Sequence, residues 1–397
     1  MGELVFLVLF GCLLGVIAGL IPGIHANSIA LIAASIALSQ PEGIALMIVA
    51  MAVVQAFVDF IPSILLSVPE SESFLSVLPG HRMFLKGNAL LAIKLTIFGG
   101  MVSGLAAVLL TPFFFLFFSK TRYALALLVA PLLVLMLALM LYSEKNRLWG
   151  AIVILFSGLL GLMVLNSNLQ VSEPLFPLVT GFFGVSSIIQ SILSEPKKVK
   201  QENRKNYFSL QKILFGSTLS VLSGMIVAVL PSIGANQAAF IVKRVVGRIR
   251  TSTFLILLGG ISTANTIFAF FALFALEKTR SGTAAAVKNL VGLNQESLLL
   301  IIATIVTAIG FGAMATIFLS QILLKKMEKI NYKKLNFFVL LGLVALTIAF
   351  SGFPGLIVLI TATSIGLTAI FSGVKRSNCM AFLMTPTLLY YLTQYYL

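Results

Sequence analysis

Of 397 residues, 59% are hydrophobic and only 10% are charged. With a mean hydropathy of +1.09, the chain has too few polar side chains to cover a water-facing surface of this size, so the bilayer is its solvent. The net charge of +15 is gathered in a few loops, as inside-facing loops over anionic lipid heads require, with a negative solute as the second reading; no basic, aromatic-interleaved soluble stretch is present for nucleic acid.

The chain opens MGELVFLVLFGCLLGVIAGLIPG, with Glu3 as its only early charge. Lacking a basic n-region, this stretch predicts a retained first membrane segment and not a cleaved leader. Apolar runs then follow at 3–21, 26–39, 42–67, 89–118, 121–142, 147–165 and 175–193, and again at 210–230, 235–247, 251–276, 297–324, 335–351, 354–373 and 378–396. Most reach the ~20 residues that a spanning helix needs. The runs 26–39 and 235–247 do not, and each follows a Pro-containing break, which predicts half-helices or re-entrant segments.

The strongly polar connector 194–209 lies near the midpoint. On either side of it a stretch repeats: Gly15, Pro22, Ile24, Ala26, Asn27 and Ala30 align without a gap on Gly224, Pro231, Ile233, Ala235, Asn236 and Ala239. Leu, Ile and Ala match cheaply among apolar segments, but a shared Pro and a shared Asn in one local frame do not. Ser103-Gly104 and Ile309-Gly310 form a weaker second match.

Loop charges give orientation. Lys197, Lys198, Lys200, Arg204 and Lys205 place the connector inside, and so do Lys243–Arg250, Lys325–Lys334, Lys375–Arg376 and the pair Lys145 and Arg147 for their loops. Pro41–Gly43, Asn166–Glu173 and Phe350–Pro354 carry no basic residue and fall outside, with Lys120 and Arg122 dissenting. Counterpart loops thus lie on opposite sides. The predicted fold is an all-α polytopic membrane protein with helices broken after Pro22 and Pro231. Its first inverted repeat covers 1–193, a basic cytoplasmic linker 194–209, and its second inverted repeat 210–397.

Inverted repeats with broken helices place a solute site near the midplane, where half-helix N-termini favour an anion. Asn27 and Asn236 sit where they either cap two short helices or also contact the solute. His25 is either a proton-coupling group or a hydrogen-bonded spacer. Asp59, deep in the run that includes Gln55 and Pro62, either couples an ion or pairs with a basic side chain. Its approximate counterpart is Asn265, in Ser262-Thr263-Ala-Asn265-Thr266, and together these oxygens suit Na⁺ or H⁺. Glu70–Ser73 with Leu78–Gly87, and Glu277–Thr283 with Lys288, are either solvated loops or hairpin tips that bring Arg82 and Arg280 toward an anion. Enzymatic patterns are missing: two His, no HExxH, no GxSxG and no Asp-rich prenyl-diphosphate motif. Cys12 and Cys379 lie in apolar runs without a CxxC pair, so no metal or disulfide is expected, and Na⁺ as a coupling ion is the sole cofactor in view.

The stretch Gly19-Leu-Ile-Pro22-Gly23-Ile-His25-Ala-Asn27-Ser28, with Ser67-Val-Pro69-Glu-Ser-Glu and Leu78-Pro79-Gly80-His81-Arg82-Met-Phe-Leu-Lys86-Gly87, resembles the TctA family. This is the large membrane subunit of tripartite tricarboxylate transporters, and the likeness is greatest to its shorter archaeal members. The family's Gly-Leu-Pro-Gly break falls on Gly19–Gly23 and again on Ala228–Ser232, where Ser232 replaces the second Gly. The resemblance implies a secondary transporter of a carboxylate-type anion in the cell membrane, coupled to Na⁺ or H⁺. It also implies a small membrane subunit and a solute-binding protein as partners. Combined with the breaks, it directs attention to Pro22, Gly23, His25, Asn27, Ser28, Arg82, Pro231, Ser232, Gly234, Asn236, Gln237 and Arg280 for the solute. Asp59, Thr263 and Asn265 are the residues for the ion. A second stretch, Pro22-Gly-Ile-His-Ala-Asn-Ser-Ile-Ala-Leu31, is similar to one in polyprenyl-phosphate transporters and implies, as the alternative, a lipid-phosphate carrier.

Overall fold

The computed structural model describes residues 2–21, 26–35, 40–65, 79–80, 82–120, 122–166, 171, 174–193, 209–228, 234–247, 249–276, 279, 281–327 and 332–396. Every regular element among them is helical, and eight helices are long and apolar enough to cross a membrane. The chain is an all-α, multi-pass membrane protein. It begins with α1 (Gly2–Leu20) and the short α2 (Ala26–Ser35).

Prolines divide two of the apolar runs. The run 42–67 folds as α3 (Pro41–Val58) and α4 (Phe60–Leu65). Pro62 has no N–H for the Val58 carbonyl and its ring crowds that oxygen, so the ladder breaks there. Asp59 sits at the break, with φ −53° and ψ −26°, and its N–H donates to the Gln55 carbonyl at 3.0 Å. The run 89–118 becomes α5 (Ala89–Leu109) and α6 (Thr111–Lys120). Here Pro112 deprives the Val108 carbonyl of its donor, and Thr111 Oγ1 replaces it at 2.6 Å.

Then come α7 (Arg122–Tyr142), α8 (Arg147–Leu165), α9 (Leu175–Val179), a π-helical turn at Thr180–Val185 and α10 (Ser186–Leu193). The second half of the sequence supplies α11 (Leu210–Val227), α12 (Ala235–Val246), α13 (Thr251–Leu276), α14 (Gly282–Leu290) and α15 (Gln295–Met327). It ends with α16 (Tyr332–Phe371), a 3-10 turn at Arg376–Met380 and α17 (Ala381–Tyr395). The break expected at 350–354 is present inside the range of α16: two helices meet at Gly352, which takes φ 66° and ψ −169° just before Pro354. Only glycine adopts that backbone without strain.

The helices form two compact units, each drawing on both sides of the 194–209 connector. One holds 1–120, 197–229 and 234–330; the other holds 121–196, 230–233 and 331–397. At the centre of the first unit lie α3 with α4, and α13, whose spans are 94% and 89% buried. Lipid is as apolar as leucine, so close backbone approach and hydroxyl bonds must hold such helices together. Accordingly a Cβ on Gly99 of α5 would collide with the Ile256 carbonyl, and one on Gly259 of α13 with the Thr96 carbonyl. Ser220 of α11 donates to the Leu257 carbonyl of α13 at 3.1 Å. A Cβ on Gly19 of α1 would lie 3.1 Å from the Asp59 nitrogen, and one on Gly224 of α11 would lie 3.1 Å from the Asn265 nitrogen, so both residues sit under closely packed helices.

The second unit is tied at one end by a buried polar clasp. Glu144 accepts from the Lys375 N–H and from Asn378 Nδ2, each at 3.2 Å. Lys375 Nζ donates to the Ser143 carbonyl at 2.7 Å and to its hydroxyl at 3.0 Å. Nearby, Arg376 donates to the Ser187 hydroxyl. The clasp brings together the two loops at 143–146 and 372–376, which the charge pattern assigns to one side of the membrane.

Candidate functional site

The site starts from two short helices in the first unit. Ser281 is the N-cap of α14, its Oγ accepting from the Ala284 N–H at 3.1 Å and lying 2.9 Å from Thr283 Oγ1. The next donor, the Thr283 N–H, goes to Asn27 Oδ1 at 3.0 Å. Asn27 lies in the first turn of α2, so the N-terminal ends of α2 and α14 meet at this bond. Gly282 permits it, because a Cβ there would sit 2.9 Å from the Asn27 Cβ. The N–H of Ala26, first residue of α2, donates to Gln55 Oε1 of α3 at 2.8 Å in a buried contact. Both amide oxygens thus cap helix N-termini, where unsatisfied N–H groups and the helix dipole create partial positive charge.

Between these groups lies a cavity of about 100 Å³. Its walls are Ala26 and Asn27, then Gln55 and Asp59, then Ser262, Asn265 and Thr266 of α13, then Ser281 and Thr283, with Ala52, Ala56 and Ala269 filling in. Gln55 and Asp59 are each 5% exposed. Asn265 Oδ1 is buried and accepts no hydrogen bond among the described residues. No Arg, Lys or His stands among the described wall residues. The cavity is lined by the ends of α2 and α14, by amides, and by the carboxyl group of Asp59.

Of the residues singled out in the sequence, Asn27, Asp59 and Asn265 come together here. Thr263 does not line the cavity; it is fully buried, its hydroxyl donating to the Gly259 carbonyl at 3.1 Å. Arg82 is exposed and Gly234 half-buried, its carbonyl accepting from the Ala238 N–H at 3.2 Å, and neither lines the cavity. Pro22, Gly23, His25, Pro231, Ser232 and Arg280 lie outside the described residues, as do Glu70–Ser73 and His81. Ser28 falls on α2, and Asn236 and Gln237 on α12, with only their backbones described. Ser262 and Thr266, read with Asn265 as one oxygen cluster, and Ser281 and Thr283, in the stretch read as a loop or a hairpin tip, line the site as well, and Gln55 joins it without having been assigned to it from the sequence. Gln55 had a legible signal, a polar side chain one turn before Asp59 inside an apolar span.

A multi-pass membrane protein that gathers the N-termini of two short helices beside a polar cavity has the build of a membrane transporter. Over residues 5–381 the chain matches the tripartite tricarboxylate transporter TctA family, and it belongs to that family. An uncharacterized protein of Methanocaldococcus jannaschii is 28% identical over 403 residues, covering 98% of this chain and 99% of that one. No solved structure matches the chain.

Proposed function

We propose that the chain is the membrane subunit that carries a carboxylate-type anion across the cell membrane, with the anion held in the cavity between α2, α3, α13 and α14. The meeting of two helix N-termini at the Asn27–Thr283 bond carries this reading, because such ends stabilise negative charge without a cationic side chain. Asp59 and Asn265, which line the same cavity, supply oxygens for a coupling cation, Na⁺ or H⁺. Family membership supports a solute-binding protein and a small membrane subunit as partners. It supports a soluble carboxylate and lends nothing to the polyprenyl-phosphate alternative.

Uptake of labelled carboxylates into proteoliposomes tests the reading, with the partner subunits present where they are encoded. Asn27→Ala removes the bond to α14 and should lower uptake about tenfold or more, the equivalent of ~1.4 kcal/mol. Wild-type rates in Asn27→Ala would remove the site from this cavity.

A further inference from the structure

The rim of the second unit carries a group of cations that the transport cavity does not use. Glu144, only 7% exposed, accepts from the Lys375 N–H and from Asn378 Nδ2, and so holds the loop between α7 and α8 against the loop that follows α16. Lys375 Nζ pins the same two loops through the Ser143 carbonyl and hydroxyl. Fixed in this way, the α7–α8 loop and the first turn of α8 present Lys145 and Arg147 as exposed side chains. The Arg147 guanidinium lies over the Tyr142 ring, 5.0 Å from its centre. Stacking occupies a face of the guanidinium and leaves its edge, where the N–H donors point, to meet an anion.

From these cations an apolar strip runs along α8. Leu148, Leu155, Phe156, Leu159 and Met163 are each 45% to 70% exposed, and their spacing puts them on one side of the helix. At 1.5 Å per residue the strip is about 22 Å long, more than the ~15 Å of hydrocarbon in one leaflet. Where the cations give way to the strip stand Tyr142 and Trp149, 62% and 41% exposed, residue types that settle at the level of lipid headgroups. A soluble anion would use the cations alone. A lipid uses the cations, the aromatic pair and the strip together.

We infer that this rim is a binding site for an anionic phospholipid, on the side of the membrane that the charge pattern assigns to the inside. The phosphate meets Lys145 and the N–H edge of Arg147, and an acyl chain follows the strip on α8. A zwitterionic lipid fits less well, because its own ammonium group meets the same cations. One Lys or Arg beside an anionic lipid surface favours binding by about fivefold, and two by about thirtyfold. All of these residues lie in the second unit, whereas the described walls of the transport cavity lie in the first, so the lipid site is independent of the transporter reading.

Trp149 is the only tryptophan in the chain, so its fluorescence reports on this site without an added label. The full-length chain is reconstituted in phosphatidylcholine bilayers, with a rising fraction of the lipid replaced by dibrominated phosphatidylglycerol or by dibrominated phosphatidylcholine, bromine being a contact quencher of tryptophan. Phosphatidylglycerol should quench Trp149 with a relative affinity about thirtyfold that of phosphatidylcholine. The preference should fade in about 1 M salt, where surface charges are screened. It should vanish in the double variant Lys145→Gln with Arg147→Gln, which keeps Glu144 and its bonds. Sodium phosphate added at constant ionic strength should leave the quenching unchanged; relief by it would assign the cations to a soluble phosphate and overturn the lipid site. Equal quenching by the two lipids overturns it as well, and so does quenching by neither, which would mean that protein covers the strip. A preference that the double variant keeps has the same force. Should the double variant fail to fold, the wild-type comparison and its salt dependence decide alone.

Discussion

Adding one methyl group at Gly282 sets two well-known effects against each other. Alanine is preferred over glycine within a helix by ~0.8–1 kcal/mol, so in isolation Gly282→Ala would strengthen α14. In place, however, the new Cβ would lie 2.9 Å from Asn27 Cβ, 3.2 Å from its Cγ and 3.3 Å from its Oδ1. A Cβ is anchored to its backbone, so α2 and α14 must separate instead of one side-chain tip swinging aside. Overpacking of this kind costs ~1–3 kcal/mol, and the Asn27–Thr283 bond lost with it a further ~0.5–1.5 kcal/mol. The steric side wins by about 1–3 kcal/mol, which predicts anion binding weakened about five- to a hundredfold at 1.4 kcal/mol per decade. Isothermal titration with the anion that stabilises the wild type measures this directly. Gly310→Ala is the control: nothing lies within 4 Å of a Cβ there, so only the helix preference acts. If Gly282→Ala behaves like Gly310→Ala, with binding intact, α2 and α14 do not approach as described and the site loses its frame.

Pro62→Ala returns an N–H to the Val58 carbonyl and removes a helix break worth ~3 kcal/mol. It should raise or preserve the melting temperature while uptake falls, because Asp59 moves off the cavity; unchanged uptake would show that the break is unimportant. Glu144→Ala strands the Lys375 N–H and the fully buried Asn378 amide. The expected cost is about 2–5 kcal/mol of stability in a thermal melt, with ligand affinity unchanged, since every wall of the cavity belongs to the other unit.

What the sequence shows of this site depends on whether a residue stands out from its neighbours. Asp59 and Asn265 do, as polar groups in apolar spans. Thr263 stands out equally, but two residues along a helix is about 200° of rotation, so it faces away from the side that Asn265 lines. Gln55 is less conspicuous because an amide needs no ion pair, and its partner at Ala26 is 29 residues away. Ser281 and Thr283 read equally as part of a solvated loop or of a hairpin tip, because nothing in the sequence shows that α14 begins beside them. The breaks at Pro62 and Pro112 are hidden inside runs whose average hydropathy is uniformly high. At 350–354 the signal is legible, because Gly and Pro mark the place where two helices meet at Gly352.

The position of Asp59 has a consequence for coupling. Gln55 and Asp59 are four residues apart, so they share one side of α3, with Cβ atoms about 6 Å apart. An anion held at the N-terminus of α2, which Gln55 caps, and a cation held at Asp59 would be separated by a similar distance, beside side chains that are each 5% exposed. At an effective dielectric constant of ~20, opposite unit charges ~6 Å apart attract by about 3 kcal/mol, roughly a hundredfold in affinity. Coupling of this kind is reciprocal: Na⁺ must tighten the anion by the factor with which the anion tightens Na⁺. A two-way titration of the purified chain measures both factors. In Asp59→Asn the carboxylate charge is gone while the helix N-termini remain. The anion should still bind, with an affinity that no longer responds to Na⁺. An anion affinity independent of Na⁺ and of pH in the wild type, or a sodium response that survives in Asp59→Asn, would remove Asp59 from the coupling site and leave it a buried acid of another purpose.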